Sequence, residues 1–330
     1  MKKLAFGLMA ALSTAIAADE PPAPPADATT LETVTVTGEQ PGPGLWKVSN
    51  GEHVLWILGV QYPLPKGMSW HAKQVDDTIA QSQEVIADAA PKLEVSFLHK
   101  LTLLPSIYSA RKNADGATLK DVLPPEVYAR WEPLKTKYFG NDDGVEKLRP
   151  LVAANELYDK ALAKSGLARN GVIWRSVRDT AKKNHVKIVD MEVSIPVDDP
   201  GQTIRDFKST SGNSADVECL SATMTRIETD LDAMRQRANA WAVGDIEALK
   251  KLPSPGVQAA CLGAVASNER LHQQLDAAMA QIQTTWLAAA EKALHENAST
   301  FAVLPMDELL RPDRRLAKLR EKGYSVEEPE

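Results

Sequence analysis

Cysteine is scarce in this chain: two in 330 residues, beside six histidines and five phenylalanines. The histidines (His53, His71, His99, His185, His272 and His295) form no His-Glu-x-x-His, no pair four apart and no Cys–His spacing, which excludes the common ready-made zinc motifs. No Gly-x-Ser-x-Gly elbow occurs, so serine hydrolysis has no support. A Walker loop and a Gly-rich dinucleotide loop are also missing, which removes the usual phosphate cradles. The net charge is −6 and no long basic run is present, so nucleic acid is not an expected partner. Past the N-terminus no stretch reaches the roughly 20 apolar residues that cross a bilayer, and no transmembrane segment is expected once the leader is removed. Internal repeats are absent too. What remains is a chain of 44% hydrophobic residues, enough for a sizeable core in one or two domains.

What is present begins with Met1-Lys2-Lys3, the apolar Leu4–Ala17 and small residues at Ala15-Ile16-Ala17. This is the pattern of a signal peptide over about residues 1–18, and it makes the expected location periplasmic or secreted. Residues 19–43, with Pro21-Pro22-Ala23-Pro24-Pro25, read as a disordered Pro-rich leader, and Thr33-Val34-Thr35-Val36-Thr37 is its one candidate edge strand. Residues 44–330 follow as one domain, including a helical section at about 200–297. Export gives the two cysteines a meaning, because the compartment is oxidising. Cys219 and Cys261 lie in helical patterns in the same half of the chain. A disulfide between neighbouring helices is expected, closing about 40 residues for ~3–4 kcal/mol; two buried free thiols are the alternative.

The periodicity predicts a helix over Trp70–Gln83 and a short buried strand at Val85-Ile86-Ala87. Further helices are expected over 93–111, from Pro124-Pro125 to Phe139, over 144–165 closed by Gly166, and over 172–184. Val186–Met191 reads as a strand. From Pro200 to Asn297 the pattern is mostly helical, broken at Gly244-Asp245, where Asp245 suits a cap, and by Pro253 and Pro255. Thr300–Leu304 is a strand, 306–322 a charged helix capped by Gly323, and Tyr324–Glu327 a last strand. Helix–strand alternation places the chain in the α/β class rather than among helix bundles.

The stretch Gly44-Leu45-Trp46-Lys47-Val48-Ser49-Asn50-Gly51-Glu52-His53-Val54-Leu55-Trp56-Ile57-Leu58-Gly59-Val60-Gln61-Tyr62-Pro63-Leu64-Pro65 reads as two apolar strands around an Asn-Gly turn. Together with Leu64–Trp70 and the strand–helix–Gly-Tyr-x-Val ending, it resembles the TraB/GumN family, relatives of the TIKI metalloproteases, over roughly 44–328. The resemblance implies a central mixed β-sheet with many surrounding helices and a large helical region in the second half. It also implies a divalent metal held by a first Gly-x-x-His, a Glu after the next strand, and a second Gly-x-x-His near the C-terminus. Such a metal would acidify a bound water for hydrolysis. In this sequence Gly59 remains but Tyr62 stands at the first His, and a phenol of pKa near 10 is a poor ligand at neutral pH. Asp88 falls at the Glu position and Glu192 matches the acid of a family Leu-Glu pair. At the second motif, Ala302-Val303-Leu304-Pro305-Met306-Asp307 has lost both glycines and the His, with Asp307 near the latter's place.

The family positions Gly59, Tyr62, Asp88, Glu192 and Asp307 therefore define where a site is expected, with Tyr62, His71 and Trp70 as binding candidates and no confident catalytic residue. No cofactor is expected; a divalent metal bound weakly by the carboxylates Asp88, Glu192 and Asp307 is the alternative. The same acids read equally as solvated strand ends, caps or ion-pair partners, and the seven tryptophans as core residues or as the lining of a cleft. Two functions follow. One is an exported, catalytically degenerate protein that binds an envelope peptide, glycan or protein. The other is a metal-dependent, peptidase-like hydrolase with a substituted ligand set.

Overall fold

The Asn50–Gly51 step turns the chain back on itself. In the computed structural model, which describes residues 41–169, 171–253, 261, 264 and 269–329, strands β1 (Trp46–Asn50) and β2 (His53–Val60) pair antiparallel, with Asn50 opposite His53. Gly51, at φ +60°, takes the first of the two loop positions, where a left-handed backbone is needed. The expected signal peptide and most of the leader, Thr33–Thr37 included, lie outside the described residues.

The remaining strands are β3 (Leu64–Pro65), β4 (Glu84–Ile86), β5 (Ala90–Glu94), β6 (Leu167–Ala168), β7 (Lys187–Val189), β8 (Glu192–Pro196), β9 (Ser299–Pro305) and β10 (Ser325–Glu327). Six form one sheet in the order β10-β1-β2-β9-β4-β7. Its first two pairings are antiparallel, while β2, β9, β4 and β7 run parallel. β9 sits at the centre, between β2 and β4, and its Phe301-Ala302-Val303-Leu304 is buried as a continuous apolar run, as a strand covered on both faces must be. Two small sheets, β3–β6 and β5–β8, stand apart from it.

Ahead of β7 the helices are α1 (Lys73–Gln81), α2 (Phe97–Ala110), α3 (Leu119–Val122), α4 (Pro125–Phe139), α5 (Pro150–Lys164) and α6 (Val172–Lys183). After it come α7 (Pro200–Ser209), α8 (Ser214–Thr229), α9 (Leu231–Val243), α10 (Ile246–Lys251), α11 (Glu269–Glu296), α12 (Met306–Leu310) and α13 (Arg315–Glu321). α1, α6, α9 and α11 supply Ile79, Val177, Trp241 and Trp286 to the core around the sheet. A second core, helical, gathers Trp131 of α4, Leu157 of α5 and Leu220 of α8. Within it the guanidinium of Arg149 donates twice to the carboxylate of Asp216, at 2.9 and 2.8 Å, with both side chains fully buried. Cys219 and Cys261 form a disulfide at its edge. The architecture is the expected one, a central mixed sheet with many helices and a long helical stretch late in the chain.

Several boundaries differ from the sequence pattern. Where the apolar run 93–111 predicts one helix, Ala90–Glu94 is a strand, held by parallel backbone pairing with Glu192–Pro196. The helix expected over 144–165 starts at Pro150, after a 3₁₀ turn at Asp143–Lys147, because a proline without an N–H suits a first turn and not an interior. Asp230 divides the stripe Ala215–Ala242 into α8 and α9, and the charged helix over 306–322 breaks between Leu310 and Arg315, around Pro312. The Asp245 cap forms as expected, its carboxylate accepting from the Ala248 N–H at 2.8 Å. Among the described residues no helix is long and apolar enough to cross a membrane.

Candidate functional site

Because β2, β9, β4 and β7 are parallel, all four end on one edge of the sheet. The register sets Gly59 beside Leu304, and Ile86 beside both Ala302 and Val189. Past the strands, Ala87 N–H donates to Val189 and Ala90 N–H to Met191, which keeps the Asp88 segment alongside the one leading to Glu192. The region outside the carboxyl ends of parallel strands is where open α/β sheets bind ligands. Topology therefore brings Gly59–Tyr62, Asp88 and Leu304–Asp307 to a single edge, with Glu192 at its margin.

Gly59 is hemmed in. Its carbonyl accepts from the Trp241 indole N–H at 2.7 Å. A Cβ at this position would come within 2.6 Å of the Met306 methyl and 3.0 Å of Leu309. Met306, which takes the place of the second motif's second glycine, thus fills the space over Gly59.

Two of the three carboxylates at the motif positions, Asp88 and Asp307, are taken up by arginines. Arg237 on α9, 2% exposed, donates to Asp307 at 2.9 Å, and also to the carbonyls of Leu249 and Leu252 and the Gln61 amide oxygen. Burial lowers its pKa and the Asp307 charge opposes that shift, but a guanidinium stays cationic at neutral pH. At the other end of the edge Arg315, 5% exposed, donates to Asp88 at 2.5 Å, stands 3.6 Å from Glu308 and lies over the Trp286 ring at 5.5 Å. Asp88 and Asp307 keep about a third of their side chains in solvent.

The other candidates fall around this edge. Tyr62 is 40% exposed, and partial burial of its ring pushes the phenol pKa up, so the hydroxyl stays neutral well past physiological pH. Glu192 is an exposed ion-pair partner of Lys92 on the β5–β8 ribbon and joins neither Asp88 nor Asp307 in a cluster. Trp70 is a core residue, 2% exposed and 6.0 Å from the Trp241 ring, so it offers no surface to a ligand. His71 is exposed beside Gly42–Gly44, at a surface hollow to which the motif residues contribute no wall among the described residues.

These residues do not fit a divalent ion. Asp88 and Asp307 each already face a buried fixed cation, Glu192 is drawn off to the exposed Lys92, the imidazole positions hold Tyr62 and Asp307, and Met306 occupies the space over Gly59. Among the described residues no three of His, Cys, Asp and Glu are grouped so as to hold a metal. Sequence reasoning missed Arg237, Arg315 and Met306. Arg237 left one trace, a charge one helical turn before Trp241 in the otherwise apolar stripe of Met234, Ala238 and Trp241.

Beyond the ends of β4 and β7 lies a cavity of about 480 Å³, within the range of small-ligand sites. The β5–β8 ribbon, α2, α7 and the start of α11 line it, and it opens to solvent. It begins at Pro91, three residues past Asp88, and its walls include Leu93, Leu103, Ile195, Ile204 and Leu275, with Thr203 the single polar side chain among the described residues that line it.

No curated protein and no solved structure gives a significant match to this chain. The sequence profile of the TraB/PrgY/gumN family matches residues 44–328, which takes in the sheet, the edge and both cores. The chain belongs to the TraB/PrgY/gumN family.

Proposed function

We propose that this protein is an exported member of its family that has given up metal-dependent hydrolysis and acts by binding. The supporting observation is that Arg237 and Arg315 hold Asp307 and Asp88, two of the three carboxylates at the motif positions, from inside the protein. A guanidinium beside each acid supplies the positive charge that a divalent ion would otherwise bring, and a metal placed there would be repelled by it. The ligand is an envelope peptide, glycan or protein, received at the strand-end edge. Tyr62, Asp88 and Asp307 present one hydroxyl and two carboxylates, each about a third exposed, there. The basic start, apolar stretch and small residues of 1–18 support export.

Calorimetric titration of the purified protein with zinc, manganese and cobalt tests the loss of metal chemistry. The expected result is no stoichiometric uptake by the wild type, and none by Tyr62→His, since Arg237 and Met306 still occupy the site. Micromolar binding by the wild type, abolished by Asp88→Ala or Asp307→Ala, overturns the reading in favour of a hydrolase. Binding itself is tested by capturing envelope extracts on immobilised protein. A captured species must be lost on Tyr62→Ala together with Asp307→Ala for the edge to be its receptor.

A further inference from the structure

α2 turns a strip of large apolar side chains to solvent. Phe97 and Leu98 are each 73% exposed, and Leu101, Leu104 and Tyr108 are each about half exposed or more. A helix of this composition is normally covered, and soluble proteins rarely leave so continuous an apolar strip in water. Its inner side is apolar too: Leu103 and Ile107 line the 480 Å³ cavity, and Ile107 is itself partly open to solvent, so the apolar surface runs from the strip into the interior.

Two observations choose the occupant. The first is charge. In a chain of net −6, the stretch from Val95 to Asn113 holds no acid and carries Lys100, Arg111 and Lys112. Arg111 is paired with Glu156, but the Lys112 ammonium lies over the exposed Tyr108 ring at 5.0 Å, and Lys208 reaches the same end of the helix through Ser109. A tyrosine flanked by lysines at the rim of an apolar face suits the boundary between acyl chains and headgroups. The second is size. Fourteen residues of helix present a strip about 21 Å long and roughly 10 Å wide, on the order of 200 Å², whereas a stable protein–protein contact needs about 800 Å² per partner. A bilayer sets no such threshold for a shape-matched area, since apolar insertion and attraction to anionic headgroups act together.

We infer that α2 is a peripheral membrane-docking helix, which lays Phe97, Leu98, Leu101 and Leu104 into the surface of an anionic bilayer with Lys112 and Lys208 at the headgroups. This inference is independent of the binding role at the sheet edge, which uses other side chains.

Flotation of the purified protein with vesicles of phosphatidylglycerol and phosphatidylcholine in equal parts, and of phosphatidylcholine alone, tests it. Binding to the anionic vesicles should exceed that to neutral ones by about tenfold at low salt and weaken as salt is raised. Leu98→Glu with Leu101→Glu should lower it at least tenfold. Both side chains point outward, so the melting curve and circular dichroism of the variant should match the wild type. No flotation, or undiminished flotation of the variant, overturns the inference. So does a dimer in sedimentation that the same variant disperses, which would make a second copy the cover of α2.

Discussion

Arg237 and Asp307 meet at 2.9 Å, the first on a helix of the long helical section and the second just past the central strand of the sheet. The arginine is buried and also satisfies the carbonyls of Leu249 and Leu252, so it fastens α10 and the end of β9 to α9. Removing either partner leaves charge or carbonyls without their complement. Arg237→Met and Asp307→Leu should each lower stability by roughly 2–4 kcal/mol, and the double variant by clearly less than the sum. Urea unfolding of the four proteins measures the coupling, and strict additivity would show that the pair does not act as a unit.

Gly59→Ala should cost about 1–2 kcal/mol, because the new methyl must displace the terminal methyl of Met306 from 2.6 Å. Methionine is flexible enough to yield, which keeps the cost modest. In a Met306→Ala background the same change should be close to neutral. If it costs as much there, the crowding at Gly59 has another source.

The disulfide between Cys219 and Cys261 spans 42 residues. On the chain-entropy argument, Cys219→Ala with Cys261→Ala should lose about 4 kcal/mol. The comparison is chemical denaturation of the variant, and of the reduced wild type, against the oxidised protein. Equal stability in all three would mean that the helical core holds this section without the covalent tie.

Asp121 closes a capping box at the start of α3, accepting from the backbone N–H and the hydroxyl of Thr118 at 2.8 and 2.7 Å. These hydrogen bonds, the backbone one first, hold its pKa below the ordinary carboxylate value. Its stabilisation is therefore complete above the unfolded-chain pKa of about 3.9 and is lost as pH falls through the lower folded value. Asp121→Asn should be less stable than wild type at pH 6 and draw level with it near pH 2. A gap that persists at the acid end would mean that the charge plays no part.

Elements with local signals are legible in the sequence. Gly51, Gly166, Gly244 and Gly323 all take positive φ where a turn or helix end needs it, Pro125 opens α4, and β9 reads as a buried apolar run. The β5–β8 ribbon is not legible. The segment Ala90-Pro91-Lys92-Leu93-Glu94 has weak strand character, is exposed along its length, and is a strand because a partner a hundred residues later pairs with its backbone. The site divides in the same way. Motif spacing points to Gly59, Asp88 and Asp307, and the parallel sheet gathers them. Their arginine partners come from 227 positions away for Asp88 and 70 for Asp307, and no local pattern announces such a pairing.

The central strand of the sheet is encoded near the end of the chain. Until Ser299–Pro305 has been synthesised, β2 and β4 have no common neighbour, and each presents a raw edge of unpaired amides and carbonyls. Assembly of the sheet is thus deferred until almost the whole polypeptide has emerged. A nascent chain stopped short of Ser299 remains two incomplete halves, open to aggregation and to the quality-control machinery that removes such fragments.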